Sequence, residues 1–348
     1  MKGEADMRLW IGTILLGCTA APAMAQSFPC SNASVSPYLA LVTTDHDHQR
    51  VAPAGSSLTK RFTAYYSSFD DGKDRNGEAR HIPRLNPQFV AYELRGVGPD
   101  TNGDYAEPPV SIGRPNRWYS SPELVPLVDN IQGVTNRRID DSYRGAGEVW
   151  NRGHLAMSDH AQRINAQASC NTHNFWNASP QAKDLNQGPW QHLENYSAAA
   201  SNKYRSIWLI TGPIFDPATR GLTIGDPGEL PVEIPDAFFK ILIHESPSGI
   251  DTLAFVFEQP NQLNEEGEPV PGAAWVNCNQ ARARDHIYDH RPQLVSIARI
   301  EARTGLRFFP DRPDRDTLIN AQATALWPVE TRYWDSGNAV CARQRSHP

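Results

Sequence analysis

Positive charge is what this sequence has too little of to announce a polyanion partner. Lys and Arg number 33 against 39 Asp and Glu, a formal net charge of −6. A chain that binds nucleic acid through its whole surface draws affinity from many released counterions and is usually basic. That mode is excluded here, so any polyanion site must be a local patch. Beyond the N-terminus there is no run of the about 18 uninterrupted apolar residues that a membrane helix requires. No Cys-x-x-Cys pair occurs, which argues against a zinc ribbon or a thioredoxin-type site. There is no internal repeat, and no shift of composition forces a domain boundary. What remains is ordinary for a globular protein: 39% hydrophobic and 21% charged residues, with 28 Pro and 24 Gly pointing to many loops.

The N-terminus has its own pattern. Met7-Arg8 opens a short positive region, Leu9 to Leu16 is mostly apolar, and Ala23-Met24-Ala25 places small residues where a signal peptidase reads them. This pattern predicts a signal peptide over residues 1–25, a mature start at Gln26, and a secreted or periplasmic protein. The rival export reading is a lipoprotein box, Leu15-Leu16-Gly17-Cys18, which would leave the chain tethered through Cys18. Four of the five cysteines lie beyond residue 25: Cys30, Cys170, Cys278 and Cys341. An even count in an exported protein predicts two disulfides. The need to anchor both ends of the mature chain favours Cys30 with Cys170, and Cys278 with Cys341 in the polar tail.

Residues 26–59 read as an irregular polar segment, and residues 60–348 as one domain with a C-terminal tail. The run Asp45-His46-Asp47-His48 reads as solvated rather than metal-binding. Strands are expected at Phe89–Leu94, Ile207–Ile210, Phe238–Ile243 and Leu253–Phe257, short apolar runs that suit a sheet buried on both faces. Residues 258–272 read as an acidic loop. Arg291–Thr304 reads as an amphipathic helix with Leu294, Ile297, Ala298 and Ile300 as its stripe and Gly305 as its stop. His286 and His290, spaced i, i+4, have no third ligand in sight. The whole is α+β, with a mixed, mainly antiparallel sheet.

Polar residues with catalytic potential are dense over residues 150–194. If Trp150 to His154 is extended, Arg152 and His154 share a face. One then offers a fixed positive charge, the other a base that titrates near neutrality. Gly153 between them allows close backbone approach. Pro189 belongs in the first turn of a helix starting near Asn186–Gly188, with Trp190, Leu193, Ser197 and Ala200 on its buried stripe. Asn186 and Glu194 lie two turns apart on neighbouring faces. An amide oxygen and a carboxylate with water between them suit Mg²⁺, which prefers hard oxygen ligands and keeps several waters. Arg-Gly-His alone, or Asn at a helix start, is a weak signal, since Asn there is most often a cap.

Taken together, three linked segments are far more specific. They are Asn151-Arg152-Gly153-His154, Asn177-Ala178-Ser179-Pro180-Gln181, and Leu185-Asn186-Gln187-Gly188-Pro189-Trp190-Gln191-His192-Leu193-Glu194. In order and spacing the pattern resembles the DNA/RNA non-specific endonuclease family, the His-Me finger or ββα-metal nucleases. Flanking pieces agree: Thr211–Phe215, Ile234–Lys240, and Ile300-Glu301 through Phe308-Phe309-Pro310. The resemblance covers roughly residues 60–312. It implies a ββα-metal fold and a metal-dependent endonuclease that acts on DNA, RNA or both and leaves 5′-phosphates. By position His154 is the general base, Asn186 the direct ligand of Mg²⁺ (or Mn²⁺ or another divalent ion), and Glu194 the holder of metal-bound water. Arg152 and Asn177 would support the phosphate or the site, and either Arg114 or Arg117 would contact substrate. One departure stands out: the family motif begins with Asp, and this chain has Asn151, which keeps shape and hydrogen bonding but not charge. The rival readings are a nucleic-acid-binding module of the same fold with impaired chemistry, and a phosphodiesterase acting on other substrates.

Overall fold

The computed structural model describes residues 28–30, 47–73, 78, 80, 83–108, 112–113, 115, 118–217 and 221–335. The expected signal peptide over residues 1–25, with Cys18, lies outside the described residues, as do Arg114, Arg117 and Cys341.

The strands that position the site are β1 (Ser57–Arg61), β2 (Tyr66–Asp70), β3 (Pro87–Arg95), β4 (Trp150–His154), β5 (Ala178–Ala182), β6 (Ser206–Ile214), β7 (Ala237–Ser246) and β8 (Gly249–Glu258). The helices are α1 (Ile139–Gly145), α2 (Gln191–Tyr204), α3 (Cys278–Ala283) and α4 (Ile297–Thr304). Six strands form one sheet in the order β8-β7-β6-β3-β2-β1, with every neighbouring pair antiparallel. Antiparallel sheets often leave one face to water. Here helices cover both faces, which explains the near-continuous apolar runs of the strands.

Alternation along the strands sorts the core into two layers. Tyr92, Leu209, Phe238, Leu242, Phe255 and Phe257 pack with Trp190, Leu193 and Ala200 at and beyond the start of α2. Ala91, Ile210, Phe239, Ile241 and Val256 pack on the other face with Ile297 and Ile300 of α4. The pair β4–β5 forms a separate two-stranded ladder and feeds through residues 183–190 into α2, a ββα unit. The α+β architecture is thus the expected one.

Several local readings need correction. The segment over residues 291–304 is not one helix: a 3-10 turn at Arg291–Gln293 gives way to extended residues, and α4 starts at Ile297 behind the Ser296 cap. Val295 donates its N–H to the Ala254 carbonyl of β8 (2.9 Å), so the chain joins the sheet before it coils. Gly305 does end α4, in the left-handed conformation at φ 75°. His286 and His290 lie beyond α3 and are not on a helix. The N-terminal segment carries a short strand, Val51–Ala52, paired with Arg307–Phe308, and the acidic segment contains a small ladder of Asn261–Leu263 with Pro269–Pro271. His48 is not solvated but buried edge-on against Trp208.

Cys30 and Cys170 form a disulfide, as the anchoring argument expected. Cys278 is also disulfide-bonded; its expected partner, Cys341, lies outside the described residues.

Candidate active site

The β4–β5 ladder fixes the register of the motif residues: His154 faces Ala178, Arg152 faces Pro180, and Asn151 faces Gln181. Gly153 is required by close approach, because a Cβ there would come within 2.5 Å of the Gln181 side chain. After β5 the chain makes a short helical turn at Lys183–Leu185, breaks at Gln187 and Gly188, and resumes as α2 beyond Pro189. Gly188 has φ −136° and ψ −113°, and a Cβ there would meet the Val276 carbonyl oxygen at 2.3 Å. That break turns Asn186 back toward β4.

His154 ends β4 against aromatic rings. The Trp118 ring centroid is 4.5 Å away and that of His173 is 5.1 Å away, edge-on. Trp118 is held by Asp140 of α1, whose carboxylate accepts from the Trp118 backbone N–H at 3.2 Å. The same buried carboxylate takes Arg152 at 2.8 Å. Arg152 therefore clamps β4 to α1. A cleft of about 430 Å³ opens beside these groups, lined by Trp118, Tyr119, Arg137, Arg138 and Asp140 among others.

Asn151 explains the position of Asn186. Its Oδ1 accepts from Asn186 Nδ2 at 3.0 Å and from Gln187 Nε2 at 3.0 Å. Fixing the amide nitrogen leaves Asn186 Oδ1 as the group that can bind a hard cation. Any side chain with an acceptor oxygen at position 151 can perform this task, so the change from Asp to Asn preserves the geometry.

Glu194 is buried, with Lys240 Nζ 3.5 Å from its Oε1. Lys240 is fully buried on β7 and lies 4.1 Å from the Trp190 ring centroid. Burial pushes the Glu194 carboxyl above its usual range, and Lys240 opposes that shift; burial likewise lowers the Lys240 ammonium. The backbone of Glu194 is also used. Its carbonyl can only accept, so His160 donates from Nε2 (3.2 Å), and His160 Nδ1 accepts from the Tyr92 hydroxyl (3.0 Å). Burial lowers the His160 pKa, in keeping with this neutral tautomer.

Asn177 is buried and binds only backbone: Oδ1 accepts from Ala156 N–H, and Nδ2 donates to the Ala156 and Thr172 carbonyls. It staples the loop after His154. The structure thus brings His154, Arg152, Asn177, Asn186 and Glu194 onto one ββα unit, while Arg114 and Arg117 fall outside the described residues. Sequence reasoning missed Asp140, Trp118 and Lys240. Trp118 and Lys240 stood inside segments already singled out, but only the fold shows what they touch. His290, read as a weak metal ligand, instead shares a 2.7 Å hydrogen bond with His192.

Among the described residues, no group of three or more His, Cys, Asp or Glu side chains could hold a metal ion. The donor set is an amide oxygen and a carboxylate, which fits an ion that keeps most of its water.

The chain matches the DNA/RNA non-specific endonuclease family over residues 86–315. It belongs to that family. Bovine (Bos taurus) mitochondrial endonuclease G is 31% identical over 189 residues, covering 53% of this chain and 55% of that protein. The mitochondrial nuclease EXOG of Mus musculus is 25% identical over 274 residues, covering 77% of this chain and 61% of its own length. The chain therefore spans little more than half the length of these relatives. The crystal structure of an EndoG/EndoGI complex is similar with a TM-score of 0.48 and 18% identity, covering 78% of this chain and 94% of that chain. These relatives correct one expectation: they are mitochondrial nucleases, not secreted or periplasmic proteins, so the localisation read from the N-terminal pattern does not hold. Among the described residues no helix is long and apolar enough to cross a membrane.

Proposed function

We propose that this endonuclease-family chain hydrolyses phosphodiester bonds of DNA, RNA or both, with His154 as general base and a single Mg²⁺-type ion at Asn186. The observation that carries this reading is the Asn151–Asn186 hydrogen bond, which ties the cation-binding amide to the strand that ends in His154. Neutral His154 takes a proton from water, and that water's oxygen attacks phosphorus opposite the departing 3′ oxygen. Trp118 and His173 restrict the ring of His154 to one orientation. Arg152, occupied by Asp140, keeps β4 in place rather than reaching out as a free cation. Asn186 would supply a carbonyl oxygen to the ion, and Glu194, whose charged form Lys240 favours against the effect of burial, would accept from water nearby. The ion, when bound, stabilises charge on the phosphoryl and leaving oxygens. The cleft beside Trp118, with Arg137 and Arg138 on its wall, offers a strand of negative charge a place next to the ring that packs on His154.

Plasmid DNA and a structured RNA, incubated with purified protein and Mg²⁺, test the reading. Cleavage that EDTA stops and fresh Mg²⁺ restores is expected. Cleavage indifferent to EDTA, or none with any divalent ion, would sink it.

A further inference from the structure

A second cavity, of about 320 Å³, lies between the β2 and β3 end of the sheet and the C-terminus of α4. None of its lining residues belongs to β4, β5 or α2, and it shares none with the cleft beside Trp118. Three guanidiniums converge on this cavity: Arg80 and Arg84 from the stretch before β3, and Arg303 from α4. One carboxylate, Asp70, stands against them in the lining, paired with Arg80 at 2.5 Å. Arg84 is held by Glu233 at 3.2 Å, and Arg303 by Glu258 at 2.7 Å. These carboxylates preset the guanidiniums, each of which has five N–H donors in a rigid fork. The wall beneath Arg84 is apolar. Phe215 lies under Arg84 at 4.4 Å from ring centroid to guanidinium carbon, with Pro213 beside it.

We infer that this cavity is a second ligand site, for a small phosphorylated molecule carrying a planar ring: a nucleoside monophosphate. Guanidiniums held in place by carboxylates suit a phosphate, which Arg binds bidentately. The Phe215 and Pro213 wall takes a ring by edge and apolar contact, beside the Arg84 guanidinium that covers Phe215. The volume is at the small end of the range for small-molecule pockets, about 300–1,000 Å³, so a single nucleotide fits and a polynucleotide strand does not. This assignment does not rest on the nuclease reading.

Isothermal titration of the full chain in EDTA with AMP, adenosine and inorganic phosphate tests it. AMP is expected to bind more tightly than adenosine or phosphate. Arg303→Gln, which removes one charged donor at the rim, should weaken AMP by about tenfold or more. Ala54→Trp, which fills the cavity from a loop, should abolish binding, with a thermal melt to check that the variant is folded. His154→Ala should bind AMP as wild type does, which keeps this site distinct from the catalytic cleft. No AMP binding, AMP binding unchanged in both cavity variants, or phosphate alone binding as well as AMP would each overturn the inference.

Discussion

Replacing Asn151 by Ala isolates the step from hydrogen bond to chemistry. In the native chain one oxygen, Asn151 Oδ1, accepts from both Asn186 and Gln187 at 3.0 Å. Gln187 is exposed, so water replaces its lost bond at almost no cost. Asn186 is half-buried, and its neutral hydrogen bond contributes on the order of 1 kcal/mol. For a chain of this size that lowers Tm by about 1–2 °C, a small change. The functional effect is larger, because the lost contact is what orients the amide. Groups that orient a metal ligand typically affect metal affinity or activity by about 10–100-fold. Asn151→Ala should therefore raise the Mg²⁺ midpoint of plasmid cleavage by about tenfold at saturating DNA, with the melt almost unchanged. Asn151→Asp keeps the acceptor and adds charge, so its midpoint should equal or fall below the wild-type value. If Asn151→Ala retains the wild-type midpoint while Asn186→Ala shifts it, the orienting role assigned to position 151 is wrong.

Other outcomes follow from the same geometry. His154→Ala should lower cleavage by roughly 10²–10⁴-fold with no change in thermal melt, because it removes the proton acceptor; wild-type turnover by the folded variant would exclude it as base. Lys240→Met leaves Glu194 buried without its cation and should cost about 3–5 kcal/mol in urea unfolding with EDTA present. Adding Glu194→Gln should recover much of that stability but not the activity, and a single variant as stable as wild type would refute the pairing. His290 is buried beside His192, and burial lowers its pKa to about 4. The folded state then binds fewer protons than the unfolded chain, whose His titrates near 6.5, so the contribution is full above that value. It is lost as pH falls toward 4, up to about 3 kcal/mol. Stability measured across that range should fall less steeply in His290→Gln than in wild type, and identical slopes would contradict the assignment.

The parts of the fold that could be read from sequence are those fixed by local chemistry. The strands around Phe89, Ile207, Phe238 and Leu253 are runs of β-formers, and all four are present. The stripe of Trp190, Leu193, Ser197 and Ala200 is buried as its spacing requires. What was not legible depends on partners distant in the chain. Leu294 fits a helical stripe, yet the edge of β8 captures the backbone at Leu294 and Val295 and delays α4. His290 has the spacing of a helical metal ligand with His286, yet its partner is His192, 98 residues away. Arg152 looks like a free cation for phosphate until Asp140 is brought beside it from α1. Periodicity measures which face is apolar, and it is blind to which polar group will arrive opposite.

The buried pair Glu194–Lys240 shows why such an arrival matters. Lys240 has no exposed surface and sits on β7 between Phe239 and Ile241, one strand in from the sheet edge. Two charges removed from water cost several kcal/mol each, and an apolar pair of similar volume is often neutral or stabilising by comparison. Stability alone therefore does not account for a lysine here. Its effect on Glu194 does. Burial raises the pKa of a carboxyl at that depth and so favours its neutral form. The ammonium 3.5 Å away opposes that rise. An ionised Glu194 can orient water around a cation at Asn186, whereas a protonated one would compete as a donor. If Glu194 serves the site as proposed, Lys240 serves it too although it faces the core, by favouring the charged form of that carboxyl.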